Sequence, residues 1–183
     1  MAQEAVITYQ GRIVEAVEFS SPDGKRVFEK ARRAPGARLI IPVGIDEILL
    51  TKEFRHEANG YDFRLPGGKV FDSLDEYNTF LKSGADIAEP AMKKAKEEAQ
   101  QETGIIVTKI SPFHVSVLGA TMEWDLHYFI VESYTEDQQD LEQGEDIEVV
   151  KVSRNEAKKM CLDGRIGEER SALVLLRYFE KSE

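Results

Sequence analysis

The chain has a single cysteine, Cys161, among its 183 residues, so no disulfide framework can form within it. The residues around Cys161 read as an amphipathic helix. That makes it a core thiol and points to a cytoplasmic setting. No apolar run reaches about 18 residues and no basic-then-apolar leader opens the chain, which argues against membrane spans and secretion. The histidines, His56, His114 and His127, lack the spacing of a zinc motif, and His127 reads as a packed or edge imidazole in a strand. There is no G-x-x-x-x-G-K-[ST] phosphate loop, and nothing local supports a nucleophile elbow. Positive charge is also missing locally, with neither Lys nor Arg between Lys109 and Lys151.

The chain carries 24 basic and 34 acidic residues, a net charge of −10, which disfavours nucleic acid or an anionic membrane as the main partner. The distribution of that charge is uneven. The stretch without basic residues holds Glu142, Glu145 and Glu148, whereas the first 70 residues carry many cations, Arg38, Arg55 and Arg64 among them. A basic half suits phosphate through charge-assisted hydrogen bonds, and an acidic loop suits metal binding or general-base work. Length predicts one domain over 1–183, able to bury roughly 70% of its unfolded surface.

Patterning predicts strands over 5–19, a turn at 21–25 (SPDGK), and a return strand over 26–33. Strands follow at 38–43, 47–54 and 61–65, the last leading into a Gly-Gly turn. A helix over 86–103 starts either from an Asp86-x-x-Glu89 capping box or with Pro90 as its first residue, and ends at Gly104. Strands are expected at 105–110, 113–118, 126–134 and 147–152. Ser153 then caps a helix ending at Gly164, and a last helix over 169–179 turns Leu173, Leu176 and Tyr178 or Phe179 inward. Strands and helices mixed in this order fit an α+β or αβα layered sandwich better than a doubly wound sheet.

The stretch 91–105, AMKKAKEEAQQETGI, brings Glu98, Gln101 and Glu102 to one helix face, because positions three and four apart are neighbours. Carboxylates in a last turn oppose the negative end of the helix dipole, and a bound cation removes that cost. Hard cations such as Mg2+ take oxygen ligands, often one or two carboxylates plus substrate phosphates. A solvated polar face is the competing reading of the same string.

Together LPGGKV (65–70) and EEAQQETGI (97–105) resemble the two ends of the Nudix box, G-x5-E-x7-R-E-U-x-E-E-x-G-U with U aliphatic. Glu98 matches the Glu of the R-E pair, Glu102 the second Glu of E-E, Gly104 the glycine, and Glu89 the earlier Glu. Three departures stand out. Glu97 replaces the family's Arg, which on this resemblance unlocks a neighbouring carboxylate. Gln101 replaces a Glu, which lowers metal affinity or makes it depend more on substrate phosphates. Between Gly68 and Glu89 lie 20 residues where the pattern has five, so 70–85 is an insertion. Its apolar set (Phe71, Leu74, Tyr77, Phe80, Leu81) reads as a short extra helix, with a mobile loop as the alternative.

The blocks 20–43, 49–70 and 144–176 extend the resemblance to the ADP-ribose and nucleoside-diphosphate-sugar pyrophosphatase branch of the family. This implies a Nudix-type αβα sandwich with a mixed sheet, and an N-terminal antiparallel strand region (1–36) of the kind used in homodimers. It also implies hydrolysis of a diphosphate linkage with Mg2+ or Mn2+, giving a nucleoside monophosphate and a sugar phosphate. On the resemblance, Glu98 and Glu102 bind metal, joined by Gln101 and the backbone at Gly67 and Gly68, while Glu145 activates water with Glu142 and Glu148 as competitors. Arg55, Arg64, Glu123 and Trp124 are the substrate-binding candidates. Ala120 stands near a position where ADP-ribose hydrolases of the branch carry proline, which keeps other sugars open. Two alternatives remain: a catalytically weakened nucleotide-binding module, and a Nudix hydrolase of nucleoside triphosphates or dinucleoside polyphosphates.

Overall fold

A computed structural model describes residues 5–56 and 58–181. The first four residues of the expected N-terminal strand region, Glu57 and residues 182–183 lie outside the described residues. In chain order the elements are β1 (Val6–Gln10), β2 (Glu15–Ser20), β3 (Val27–Arg32), β4 (Gly36–Val43), β5 (Glu47–Arg55), β6 (Gly60–Arg64), α1 (Leu74–Ser83), α2 (Ala88–Thr103), β7 (Ile105–Ser116), β8 (Met122–Glu123), β9 (Leu126–Glu136), β10 (Ile147–Ser153), α3 (Arg154–Asp163) and α4 (Glu169–Lys181). They form a six-stranded sheet in the order β10-β5-β4-β9-β7, with β6 also on β5, and a smaller sheet in the order β1-β2-β3-β8.

The large sheet is mixed, since β4 runs parallel to β9 while the other pairs are antiparallel. Strand β4 is buried along most of its length, as expected of a strand covered on both faces. One face packs Leu39, Ile41, Phe129 and Val131 under the small residues Ala91, Ala95 and Ala99 of α2. The other packs Ile40, Leu50 and Tyr128 against Met160 of α3 and Leu175 and Phe179 of α4. The result is the expected αβα layering. Among the described residues no helix is long and apolar enough to cross a membrane.

Several elements differ from the sequence reading. Helix α2 begins through neither expected start: its N-cap is Ile87, without a side-chain cap, and Asp86 Oδ1 accepts from Ala88 N at 3.0 Å instead of closing a box with Glu89. Pro90 falls inside the first turn. There its missing N–H costs nothing, because the first amides of a helix have no intrahelical acceptor. The strands expected at 105–110 and 113–118 are one long strand, β7, which absorbs Ser111 and Pro112 through register shifts. Leu173 is 50% exposed and not inward; α4 presents Ala172, Leu175 and Phe179 to the core. The two-residue β8 was not visible in the sequence and joins β3 in parallel.

The insertion folds as the expected helix. Ser73 caps α1 by accepting from Glu76 N, and Gly84 ends it in the left-handed conformation, φ 67°. It docks on the small sheet through a buried polar group. Arg32 Nε pairs with Glu15 Oε1 at 2.7 Å, and Asn78 bridges both, accepting from Arg32 at 2.9 Å and donating to Glu15 at 3.0 Å.

Candidate active site

The glycine loop after β6 is zipped along the start of β4. Ala37 N donates to Gly68 O, Leu39 N to Pro66 O, and Val70 N to Pro35 O, each at 2.9 Å. A Cβ at either glycine would meet a neighbour, backbone at Gly67 and the Glu98 carboxylate at Gly68. Gly67 has φ +142°, and a Cβ on it would stand 2.1 Å from the Ala37 carbonyl oxygen. A Cβ on Gly68 would stand 2.0 Å from Glu98 Oε1. The alanine stripe lets α2 settle close to the sheet, so that Glu98 and Glu102 reach this loop from above. Glu102 Oε2 accepts from Gly67 N at 2.7 Å.

Burial dominates the electrostatics of the pair. It raises the Glu98 carboxyl above its ordinary value, opposed by Lys94 and reinforced by Glu145. It pushes Glu102 up to about 8, opposed by the Gly67 N–H and reinforced by the charges of Glu98 and Glu145. Carboxylates disfavoured as anions in this way, facing a loop open enough for backbone approach, fit a hard divalent cation. Among the described residues no three His, Cys, Asp or Glu groups cluster at metal-holding distance. Glu98 and Glu102 are the carboxylates beside the glycine loop that could hold such an ion, while Gly68 O accepts from Ala37 N. Gln101 is half-buried one turn along, and its backbone carbonyl accepts from Asp140 N at 3.1 Å.

Replacing the box Arg by Glu97 does not leave Glu98 unlocked. Lys94, one turn earlier, places Nζ 3.4 Å from Glu98 Oε1, both side chains largely buried. Burial works against the Lys94 charge, yet Glu98, Asp72 and Glu97 outweigh it and hold its pKa above the ordinary value. Glu97 itself faces solvent and pairs with Lys93. Lys94 escaped the sequence reading, although its i, i+4 relation to Glu98 was a usable signal.

The acidic segment closes the C-terminal end of α2. Asp137 N donates to Gly104 O, and Gln139 Nε2 donates to the carbonyls of Glu102 and Ile147. Glu145 follows in an exposed turn, where its carboxylate accepts from Glu142 N at 3.0 Å. Its charge reaches both helix carboxylates. Glu148 instead pairs with Lys52 at 2.7 Å.

An open cavity of about 780 Å³ adjoins the loop, walled by Arg33, Arg38, Arg55, Arg64, Tyr61 and Trp124 together with the α3–α4 connection. Arg38 links cavity and loop. Its Nη1 donates to Ala37 O at 3.0 Å and approaches Gly68 O at 3.5 Å, while its Nε meets Glu168 Oε2 at 3.3 Å. The structure thus brings Arg55, Arg64 and Trp124 together. It places Glu123 elsewhere, paired with Lys30 at 3.6 Å and lining a different pocket beside Tyr77 and Asp125. Trp124 is contacted by two guanidinium groups, Arg33 at 4.2 Å and Arg170 at 4.3 Å from the ring centre. Glu168 and Arg170 were not singled out from sequence; a charged pair at the start of an apolar helix looks like ordinary capping.

No family model matches the chain. A curated relative named ADP-ribose pyrophosphatase, from Bacillus subtilis (strain 168), is 26% identical over 165 residues, covering 88% of this chain and 80% of that protein. A solved structure described as that of an ADP compounds hydrolase superposes with a TM-score of 0.67 at 17% identity, covering 99% of this chain and 92% of the other. The chain is thus similar in sequence to a protein named as an ADP-ribose pyrophosphatase and in fold to an ADP compounds hydrolase, which accords with the resemblance of its glycine loop and of Glu98 and Glu102 to the Nudix box.

Proposed function

We propose that this chain is a Nudix pyrophosphatase that hydrolyses the diphosphate bond of ADP-ribose or another nucleoside-diphosphate sugar, giving a nucleoside monophosphate and a sugar phosphate. The observation that carries the reading is the glycine loop held against Glu98 and Glu102, a pair of half-buried carboxyls, one of which accepts from the loop's Gly67 N–H. These groups would hold Mg2+ or Mn2+, which when bound neutralises charge developing on the diphosphate. Glu145 takes a proton from the attacking water as the new P–O bond forms and the bridging P–O bond breaks; the leaving phosphate carries the bridging oxygen away. Arg38 steadies the loop. Arg55 and Arg64 hold substrate through charge-assisted hydrogen bonds.

Incubation of the full chain with Mg2+ or Mn2+ and a nucleotide-sugar panel tests this reading. AMP plus sugar phosphate is the expected product from an ADP-sugar. Pyrophosphate or a dinucleotide fragment would instead assign it to nucleoside triphosphates or dinucleoside polyphosphates. A second reading, a binding module with weakened catalysis, draws on Gln101 and on the two-carboxylate donor set. Ligand binding without turnover, repaired by Gln101→Glu, would favour it.

The chain also acts as a homodimer on this reading. Val6, Tyr9 and Val27 of the small sheet are 62%, 65% and 65% exposed, an apolar surface suited to a second copy. Light scattering that returns a monomer mass at micromolar concentration would exclude this. A cytoplasmic location accords with the lone reduced thiol, and fractionation of the source cells checks it.

A further inference from the structure

The arginine-walled cavity holds guanidinium groups whose donors the described residues do not all take up. Five arginines line it against three carboxylates, Asp62, Asp163 and Glu168, in a chain whose net charge is −10. Their pairing is unequal. Arg165 spends all three of its nitrogens on Asp163 and Glu156 and serves the fold. Arg64 is tied to Asp62 only through Nε, so both of its Nη groups lack an acceptor among the described residues. Arg55 meets Glu53 through Nη2 at 2.7 Å, while its Nε is buried without a hydrogen-bond partner. Arg33 has no carboxylate or carbonyl acceptor among the described residues; it rests on Trp124, and burial together with repulsion from Arg38 and Arg170 lowers its pKa.

We infer that this cavity binds a second phosphate of the substrate, a phosphate monoester carried at one end of the molecule, beyond the diphosphate that is cleaved. The inference rests on the pyrophosphatase reading for where the scissile diphosphate lies. From there Arg38, which touches both the glycine loop and the cavity, marks the direction in which the substrate extends. A neutral ribose would leave Arg33 partly desolvated with no carboxylate paired to it, and would leave the buried Nε of Arg55 without an acceptor, which is costly. A phosphate monoester carries close to two negative charges and three acceptor oxygens, enough to take donors from Arg33, Arg55 and Arg64 together. Guanidinium suits this role better than ammonium because its planar fork meets phosphate oxygens two at a time.

Calorimetry with Ca2+ in place of Mg2+ tests the inference on the full chain. The ligands are ADP-ribose, its derivative with a phosphate monoester on the adenosine ribose, and its derivative with one on the distal ribose. One phosphorylated ligand is expected to bind at least about tenfold more tightly than ADP-ribose. Arg33→Gln combined with Arg64→Gln is expected to shrink that preference to about twofold, with circular dichroism confirming the fold. Equal or weaker binding of both phosphorylated ligands, no binding of any ligand, or a preference that survives the double substitution would overturn the inference. Hydrolysis assayed separately with Mg2+ keeps the two readings apart. If neither AMP nor adenosine bisphosphate is released from any of the three, the pyrophosphatase reading fails, and the affinity ratio still decides the phosphate site.

Discussion

At the scale of single residues, the two glycines of the loop make different demands, and their substitutions should separate stability from activity. Gly67→Ala sets a Cβ against the Ala37 carbonyl at a φ of +142°, and neither backbone can yield without breaking the ladder to β4. A cost of roughly 1–3 kcal/mol is expected, read as a lower urea midpoint at unchanged slope. Gly68→Ala meets only the end of the Glu98 side chain, which can swing away. It should keep its midpoint and lose about a hundredfold in kcat, because a misplaced carboxylate no longer serves the reacting group. Cys161 provides an independent check. Burial, with Asp163 nearby, pushes its thiol up to about 11. The folded form therefore holds its proton where an unfolded thiol begins to lose it, so this group contributes stability that declines as pH rises above about 9. Thiolate absorbance and alkylation should accordingly develop only well above the pH at which a free thiol reacts. The glycine pair, the Glu pair and the thiol were legible in the sequence because each depends on residue type at fixed spacing. Arg38 and Arg33 were not, since a surface cation and a site cation have the same letter code; Lys94 was readable from its i, i+4 spacing to Glu98 and was passed over.

At the scale of elements, α1 shows how an inserted segment is made part of the fold. Its contact with the small sheet runs through Arg32, Glu15 and Asn78, and the Glu15 side chain has no exposed surface. Arg32→Met leaves that carboxylate without a cation and should cost about 3 kcal/mol by urea unfolding. Asn78→Ala removes only the bridging amide and should cost about 1 kcal/mol. A reversed order would mean that α1 is held mainly by Leu74 and Tyr77 and not by its polar contacts. Helix and strand positions were readable from periodicity and from the Gly84, Gly104 and Gly164 stops. Element starts were less so. At the start of α2 Asp86 accepts from Ala88 N, two residues on, instead of Glu89 N, and the inward face of α4 turned by one residue when Leu175 and Phe179 found the core. The long β7 survives Pro112 because a register shift lets the strand lose one ladder bond without ending.

At the scale of the whole molecule, the proposed cation joins parts of the chain that nothing in sequence joins: the loop after β6, the C-terminal half of α2 and the acidic turn near Glu145. Mg2+ at millimolar concentration should therefore raise the unfolding temperature, because a ligand that binds only the folded state stabilises it. Glu98→Gln combined with Glu102→Gln should abolish the rise; a shift that persists would place the cation elsewhere. By itself, the sequence determined the layered α+β architecture, the inserted helix and the residues of the glycine loop and acidic helix, because periodicity, capping and spacing are properties of neighbours along the chain. The tertiary structure alone decided that the Glu123 side chain leaves the company of Arg55, Arg64 and Trp124, and that arginines from four separated segments face one cavity. Those are distances between segments remote in sequence, and packing of α2, α3 and α4 on the sheet is what sets them.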